Sequence, residues 1–368
     1  MELFFDLVYV FAITQLSDFL YDQTTVRGAV QALVLFTAVW WAWNYTAWAT
    51  NWIDPDRPPV ALLMIVLMAI SLVMSAAVPE AFGSRGFPFA AAYVALQLTR
   101  SAFVTWAFPR GDRMRRNYAQ LLAWSAIAGV VWIVGAFVPT DARIPVWLAA
   151  IALDIGAPIH GFRLPGFGAT PIEDWTLAGA HLAERCQLVL MIALGESVLR
   201  VGLTFSLGRG SATEDTAFLL GFVTTAALWA TYFLQHAEQG AAAIARSPAD
   251  AARVGRAAYA YAHAIMVAGV IVVAVAVHHT IADPGGGVSA ASGATMLAGP
   301  VLYLAGLVLF KHEVGRGAIG PPLAGIAALA VLTVPALFVD RLVLCAAVAV
   351  VLVALAIGAG RADLDSPT

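Results

Sequence analysis

The feature that most constrains this chain is a series of apolar stretches, each about 20 residues long, that follow one another along almost its whole length. A helix of that length spans the hydrocarbon layer of a bilayer, whereas a membrane β-barrel shows alternating segments of about ten residues. Charged residues make up 12% of the chain, against roughly 25% in soluble domains. The sequence therefore predicts an all-α, polytopic membrane protein.

Proline and glycine separate the apolar sequence into twelve candidate transmembrane helices. These are Leu3–Leu20, Gly28–Thr50, Val60–Val78, Pro88–Phe108, Tyr118–Val138, Ile144–His160, His181–Val201, Thr216–His236, Ala257–Ile281, Val288–Phe310, Ala318–Phe338 and Leu342–Ala359. The first span begins almost at residue 1, which suggests that a short polar leader is missing from this sequence.

The spans fall into two sets of six with similar features. Residues 1–160 form the first six-helix repeat, residues 161–179 a linker rich in Gly and Pro, and residues 180–368 the second repeat. Aligning Glu2 with Glu184 places Thr14 opposite Glu196, and each half continues with a helix that contains Trp. Because six is an even number, the two repeats are expected to have the same orientation in the membrane, with a polar site between them.

The distribution of Lys and Arg predicts the orientation of the chain. If both termini lie on one side, the loops of that side hold twelve basic residues and those of the other side hold five. Loops rich in Lys and Arg stay in the cytoplasm. Both termini are therefore expected to be cytoplasmic.

The seventh span is apolar and yet carries several charges, among them Glu184, Arg185, Glu196 and Arg200. A charge at the bilayer centre costs roughly 2.5 to 3.5 kcal/mol on insertion scales, so these side chains must be paired, hydrated or near the ends of the helix. Glu196 and Arg200 are four residues apart and so lie on one helical face. Two interpretations stay open: a polar site that faces a pathway, or an internal ion pair.

Three further polar residues lie inside apolar spans. Asp6 is about one turn inside the first span, where it is either an ion or proton site or a carboxylate paired with an arginine such as Arg185. Arg100 shares a face of the fourth span with Tyr93 and Gln97 and is a candidate counter-charge for Asp6 or Asp154. His263 is either a hydrogen-bonded packing residue or a member of the polar site.

Other motifs narrow the class of function. The second span is rich in tryptophan, which favours an aromatic belt at the lipid headgroups over an aromatic cage for a substrate. The arginines at 113, 115 and 116 indicate a topology signal or a contact with anionic lipid. No motif for nucleotide or zinc binding occurs, and a net charge of −3 argues against a nucleic-acid partner. We expect no metal, no cofactor and no catalytic residue.

Three stretches of the chain resemble the bacterial low temperature requirement A family. They are Glu2-Leu-Phe-Phe-Asp-Leu-Val-Tyr-Val-Phe-Ala-Ile-Thr-Gln-Leu-Ser17, the region from Trp40 to Pro55, and the region from His181 to Val198. The sequence departs from the family pattern at Cys186 and Gln187, where a Phe and a Gly are usual. The resemblance implies a multi-pass protein of the bacterial plasma (inner) membrane, linked by name to growth in the cold and without a settled biochemical activity. The first helix is more loosely similar to a family of potassium channels that use six-helix repeats.

These features favour a transporter or channel-like protein. Its polar intramembrane site would comprise Asp6, Glu184, Arg185, Glu196, Arg200, Arg100 and His263. The alternatives are a membrane-embedded enzyme that acts on a lipid or small amphiphile, and a non-catalytic factor for cold tolerance. The expected partners are membrane lipids and a small ion or small-molecule substrate. The sequence leaves the oligomeric state open.

Overall fold

The computed structural model describes residues 1–175, 177–207, 210–234, 240, 242, 244, 251–315 and 318–364. Helices dominate, and the described residues contain no β-strand. The predicted all-α fold class is confirmed.

Each of the twelve predicted spans corresponds to a helix. The helices are α1 Glu2–Asp22, α2 Val26–Ala49, α3 Pro58–Ala77, α4 Gly86–Ala107, α5 Arg113–Phe137, α6 Thr140–Ile159, α7 Gly179–Ser206, α8 Ala212–Phe233, α9 Ala251–Ala282, α10 Ala290–Val314, α11 Gly320–Val331 and α12 Arg341–Leu364. A 3₁₀ turn, Pro335–Phe338, extends the span that α11 begins.

Within the described part of the chain, eleven of these spans are long and apolar enough to cross a membrane. The exception is α4, because Gln97 and Arg100 lie near its centre and lower its mean hydropathy. The protein is therefore a multi-pass membrane protein.

Local sequence signals explain where several helices begin and end. The Asp112 side chain accepts a hydrogen bond from the Met114 backbone N–H (2.7 Å) and so caps the start of α5. Ser211 and Glu214 form a capping box at the start of α8. Gly315 ends α10 with a positive φ of 66°, a conformation that glycine adopts without strain.

The chain divides into two compact units. Unit 1 comprises Met1–Phe19 and Val26–Ala178, and unit 2 comprises Leu20–Thr25 and Gly179–Thr368. In unit 1, α4 packs against α3 and α5, while α2 packs against α4 and α6. In unit 2, α9 packs against α7 and α10, while α8 packs against α12. The relation of the two halves as repeats stays a prediction.

Candidate functional site

The polar centre of unit 1 is Asp154, on α6. Its Oδ2 atom accepts two hydrogen bonds, from the Tyr93 hydroxyl on α4 (2.7 Å) and from the Trp132 indole N–H on α5 (3.0 Å). Tyr93 and Trp132 are at most 2% exposed and Asp154 is 8% exposed. Three helices thus meet at one buried carboxyl group.

The backbone at Asp154 is also unusual, and the sequence explains why. Its carbonyl would normally accept a hydrogen bond from the residue four positions later, but that residue is Pro158, which has no N–H. The freed carbonyl instead accepts from the Trp41 indole and the Tyr45 hydroxyl, each at 3.2 Å, both on α2. A proline inside α6 therefore joins α2 to the same centre.

A chain of side chains leads from Asp154 to Arg100. The Gln97 amide donates to the Tyr93 hydroxyl (2.9 Å), and Arg100 Nη2 donates to Gln97 Oε1 (2.5 Å). Since a guanidinium has only donors, the amide oxygen of Gln97 must face it, and the Tyr93 proton is left to donate to Asp154. Every hydrogen bond in this relay points from the cation toward the carboxyl group.

The relay confirms one expectation and bears on another. Tyr93, Gln97 and Arg100 share one face of α4, as their spacing predicts. For the prediction that Arg100 is a counter-charge for Asp6 or Asp154, the structure shows no direct ion pair: no carboxylate of the described residues lies within 4.0 Å of the Arg100 guanidinium. Arg100 reaches Asp154 only through two neutral side chains. It also lies 5.2 Å from the Tyr45 ring centroid, in a cation–π arrangement.

Unit 1 contains further buried polar atoms that have no hydrogen-bond partner among the described residues. Four of them lie on α2 and α4: Asn44 Oδ1, Trp48 Nε1, Arg100 Nε and Ser101 Oγ. Buried polar groups are nearly always hydrogen-bonded, to protein or to water. Four such atoms on α2 and α4 indicate positions where water or a polar solute can bind.

Asp6 is fully buried on α1, and its Oδ1 atom accepts a hydrogen bond from the Trp43 indole (2.8 Å). Trp40, Trp41 and Trp43 are each at most 4% exposed, and Trp48 is 9% exposed. The prediction of a headgroup belt is therefore wrong for these tryptophans. They lie inside the protein, where Trp41 and Trp43 serve as hydrogen-bond donors to the α6 backbone and to Asp6.

The charged residues of α7 separate into a buried and an exposed set. Arg185 and Glu196 are 2% and 6% exposed, and Glu196 Oε1 lies 3.4 Å from Arg200 Nη2. The predicted i, i+4 pair is therefore formed. Glu184 is exposed, because adjacent residues of a helix diverge by about 100°. It does not share the buried surface of Arg185 and Glu196.

His263 is fully buried in unit 2, immediately after a π-helical segment of α9, Gly255–Ala262. Its Nδ1 atom lies 2.9 Å from the Ala258 carbonyl, which can only accept, so this nitrogen carries the proton. In the neutral ring, Nε2 then accepts a hydrogen bond from the Tyr232 hydroxyl (2.9 Å). Both ring nitrogens therefore have hydrogen-bond partners.

Beside His263, the Tyr259 ring stacks on the imidazole with a centroid distance of 5.1 Å. Its hydroxyl is buried and makes no hydrogen bond with the described residues. The Cys186 thiol of α7 lies 3.6 Å from the Tyr259 carbonyl. π-helical segments are frequent at functional sites, so this is a second polar position, in unit 2.

The sequence pattern did not identify Asp154 as a centre, nor Trp132 as its partner. A usable signal was present: Asp154 is an acidic residue inside an apolar span, four residues before a proline. Nothing in the sequence indicates that Trp132, on another helix, donates to this carboxyl group.

Comparison with known proteins gives one family and one relative. The family model for the bacterial low temperature requirement A protein matches residues 1–357. An uncharacterized protein of Rhizobium meliloti (strain 1021) is 36% identical over 319 residues, which cover 86% of this chain and 77% of the relative. No solved structure matches the chain.

Proposed function

The chain belongs to the bacterial low temperature requirement A (LtrA) family, and from this premise we propose that it is a transporter or channel-like protein for a small ion or small polar solute. It is an integral membrane protein. The observation that carries the proposal is the buried relay from Arg100 to Asp154. Its members are fully or almost fully buried inside a unit built from apolar helices.

Burying the charged and polar groups of the relay inside an apolar unit costs free energy. Each charge at bilayer depth costs roughly 2.5 to 3.5 kcal/mol on insertion scales. Apolar side chains of similar volume commonly stabilise a fold as well as, or better than, a buried ion pair. A helix that serves only for packing therefore gains nothing from Arg100, whereas a route for a polar solute needs such groups.

The other buried polar positions extend the proposal. Asn44 and Trp48 on α2 and Ser101 on α4 carry buried polar atoms that make no hydrogen bond with the described residues and can bind water or solute. In unit 2 we assign supporting positions to Arg185, to the Glu196–Arg200 pair and to the His263 cluster, and in unit 1 to Asp6. We also propose that both termini lie in the cytoplasm, as the loop charges indicate.

The test measures flux in proteoliposomes. The purified full chain is reconstituted, and proton, potassium, sodium and chloride movement is followed with ion-sensitive dyes in imposed gradients. We expect flux above that of empty vesicles for at least one ion. Asp154→Asn should lower it by about ten-fold or more, the change that roughly 1.4 kcal/mol produces in a rate.

A matched control lies on the same helix. Asp141 is also on α6, but its side chain is 87% exposed and pairs with Arg27 at 2.7 Å. Asp141→Asn should leave flux within two-fold of the wild type. The proposal fails if wild-type vesicles match empty ones for every ion and pH, or if a monodisperse Asp154→Asn protein transports as fast as Asp141→Asn.

A further inference from the structure

A cleft of about 720 Å³ opens at the start of α5 in unit 1. Its walls come from the first three turns of α5 and from the loop that follows α6. The lining includes Arg113, Arg115, Arg116, Ala119, Ala123 and Phe167. None of these residues belongs to the relay between Arg100 and Asp154.

One end of the cleft is positively charged. Asp174 lies 3.1 Å from Arg113 and 4.0 Å from Arg116, so it is shared between two cations. Arg115 donates to the Phe108 carbonyl (2.9 Å), and no carboxylate of the described residues lies within ion-pair distance of it. Together with the capping Asp112, three arginines face two aspartates among the side chains that the structure describes there, which leaves these groups with a net positive charge beside the N-terminus of a helix.

The other end of the cleft is apolar. Ala123 lies about 10 to 15 Å along the helix axis from the turn that contains Arg113, Arg115 and Arg116, at a rise of 1.5 Å per residue. Phe167 lies on the facing loop, and its side chain is 71% exposed. The cleft therefore runs from charged to apolar over a length that includes a lipid phosphate, the glycerol and the first carbons of an acyl chain.

The loop wall is held in place by α5 itself. The Gln120 amide donates to the carbonyls of Phe167 (3.2 Å) and Gly168 (3.3 Å), and its oxygen accepts from the Thr170 hydroxyl. Gly168 has a φ of +77°, which lets the loop turn back at this point. Phe167 is thus fixed as part of the cleft and does not pack into the core.

We propose that this cleft binds one anionic phospholipid. Its phosphate contacts Arg115 and the neighbouring arginines, and one acyl chain lies along Ala119, Ala123 and Phe167. In the orientation proposed above, on which this inference rests, this end of α5 lies on the cytoplasmic side, where the leaflet carries anionic lipid. The charge of the arginines and the length of the apolar wall both favour a lipid over a free phosphate ion.

Native mass spectrometry of the delipidated full chain in a nonionic detergent tests the proposal. Phosphatidylglycerol, phosphatidylcholine and inorganic phosphate are titrated separately, and the bound fraction gives a Kd for each. We expect phosphatidylglycerol to bind several-fold more tightly than phosphatidylcholine. Arg115→Gln should weaken phosphatidylglycerol binding by about five-fold, which corresponds to about 1 kcal/mol per basic residue near a membrane surface.

Two kinds of control distinguish a lipid that is bound in the cleft from nonspecific electrostatic attraction to a basic surface. Arg110→Gln removes an equal charge from the neighbouring loop, outside the cleft lining, and should change the Kd by less than two-fold. Ala123→Trp fills the apolar end and Phe167→Ser removes its exposed ring; both keep every charge and should weaken phosphatidylglycerol binding.

Three results would overturn the proposal. The first is that Arg110→Gln weakens binding as much as Arg115→Gln. The second is that phosphatidylglycerol binding survives unchanged in Phe167→Ser and in a monodisperse Ala123→Trp protein. The third is that inorganic phosphate displaces phosphatidylglycerol at equal concentration.

Discussion

The hydrogen bonds around Asp154 should stabilise the fold, and the single substitution Tyr93→Phe tests this prediction. This substitution keeps the aromatic ring, which packs on Trp132 at a centroid distance of 4.9 Å, and removes only the hydroxyl. Two hydrogen bonds are lost: the donation to Asp154 Oδ2 (2.7 Å) and the acceptance from the Gln97 amide (2.9 Å).

The expected loss follows from these two bonds. A hydrogen bond to a charged group contributes about 1.5 to 3 kcal/mol net, and a neutral one about 0.5 to 1.5 kcal/mol. Interhelical hydrogen bonds in membranes are often weaker, about 0.6 kcal/mol on average. Here the partners are buried, so removing the hydroxyl leaves Asp154 and Gln97 each with one hydrogen bond fewer. We therefore expect Tyr93→Phe to lower the free energy of unfolding by about 2 to 3 kcal/mol.

The assay is reversible unfolding in mixed micelles with increasing sodium dodecyl sulfate, followed by tryptophan fluorescence. Tyr118→Phe is the matched control, because Tyr118 is also a buried tyrosine of unit 1 but its hydroxyl makes no hydrogen bond with the described residues. Tyr118→Phe should lower the free energy of unfolding by less than about 0.5 kcal/mol. Equal losses in the two variants would refute the reasoning, since the hydroxyl of Tyr93 would then contribute no more to the free energy of unfolding than a hydroxyl that makes no hydrogen bond with the described residues.

Three further predictions concern unit 2. Tyr259→Phe should raise the free energy of unfolding by about 1 kcal/mol, because it removes a buried hydroxyl that has no partner among the described residues; a loss of stability would contradict this. Gly269→Ala should lower it by about 1 to 3 kcal/mol, since a Cβ there would lie 2.5 Å from the Tyr303 backbone nitrogen on α10. Gly202→Ala, which meets no atom within 4 Å, is the control and should be neutral or slightly stabilising. A double-mutant cycle of Glu196→Gln and Arg200→Gln should give a coupling energy of about 0.5 to 1 kcal/mol, and a value of zero would show that the 3.4 Å pair contributes nothing.

The sequence by itself determined the class of the protein and the positions of its helices along the chain. Long apolar runs separated by proline and glycine can only form membrane-crossing helices, because each backbone polar group must be satisfied within the segment. Helical periodicity also fixed local pairs: Tyr93, Gln97 and Arg100 on α4, and the contact of Glu196 with Arg200 on α7, follow from positions three and four residues apart.

Only the tertiary structure decided which helical faces are buried and which side chains meet across helices. Lipid and protein interior are almost equally apolar, so the hydrophobic pattern of α2 does not distinguish a tryptophan that faces lipid from one that is buried, such as Trp43. The centre at Asp154 depends on donors from α2, α4 and α5 that are 22 to 113 residues distant in the chain. No local period encodes such contacts, because they depend on how the helices pack.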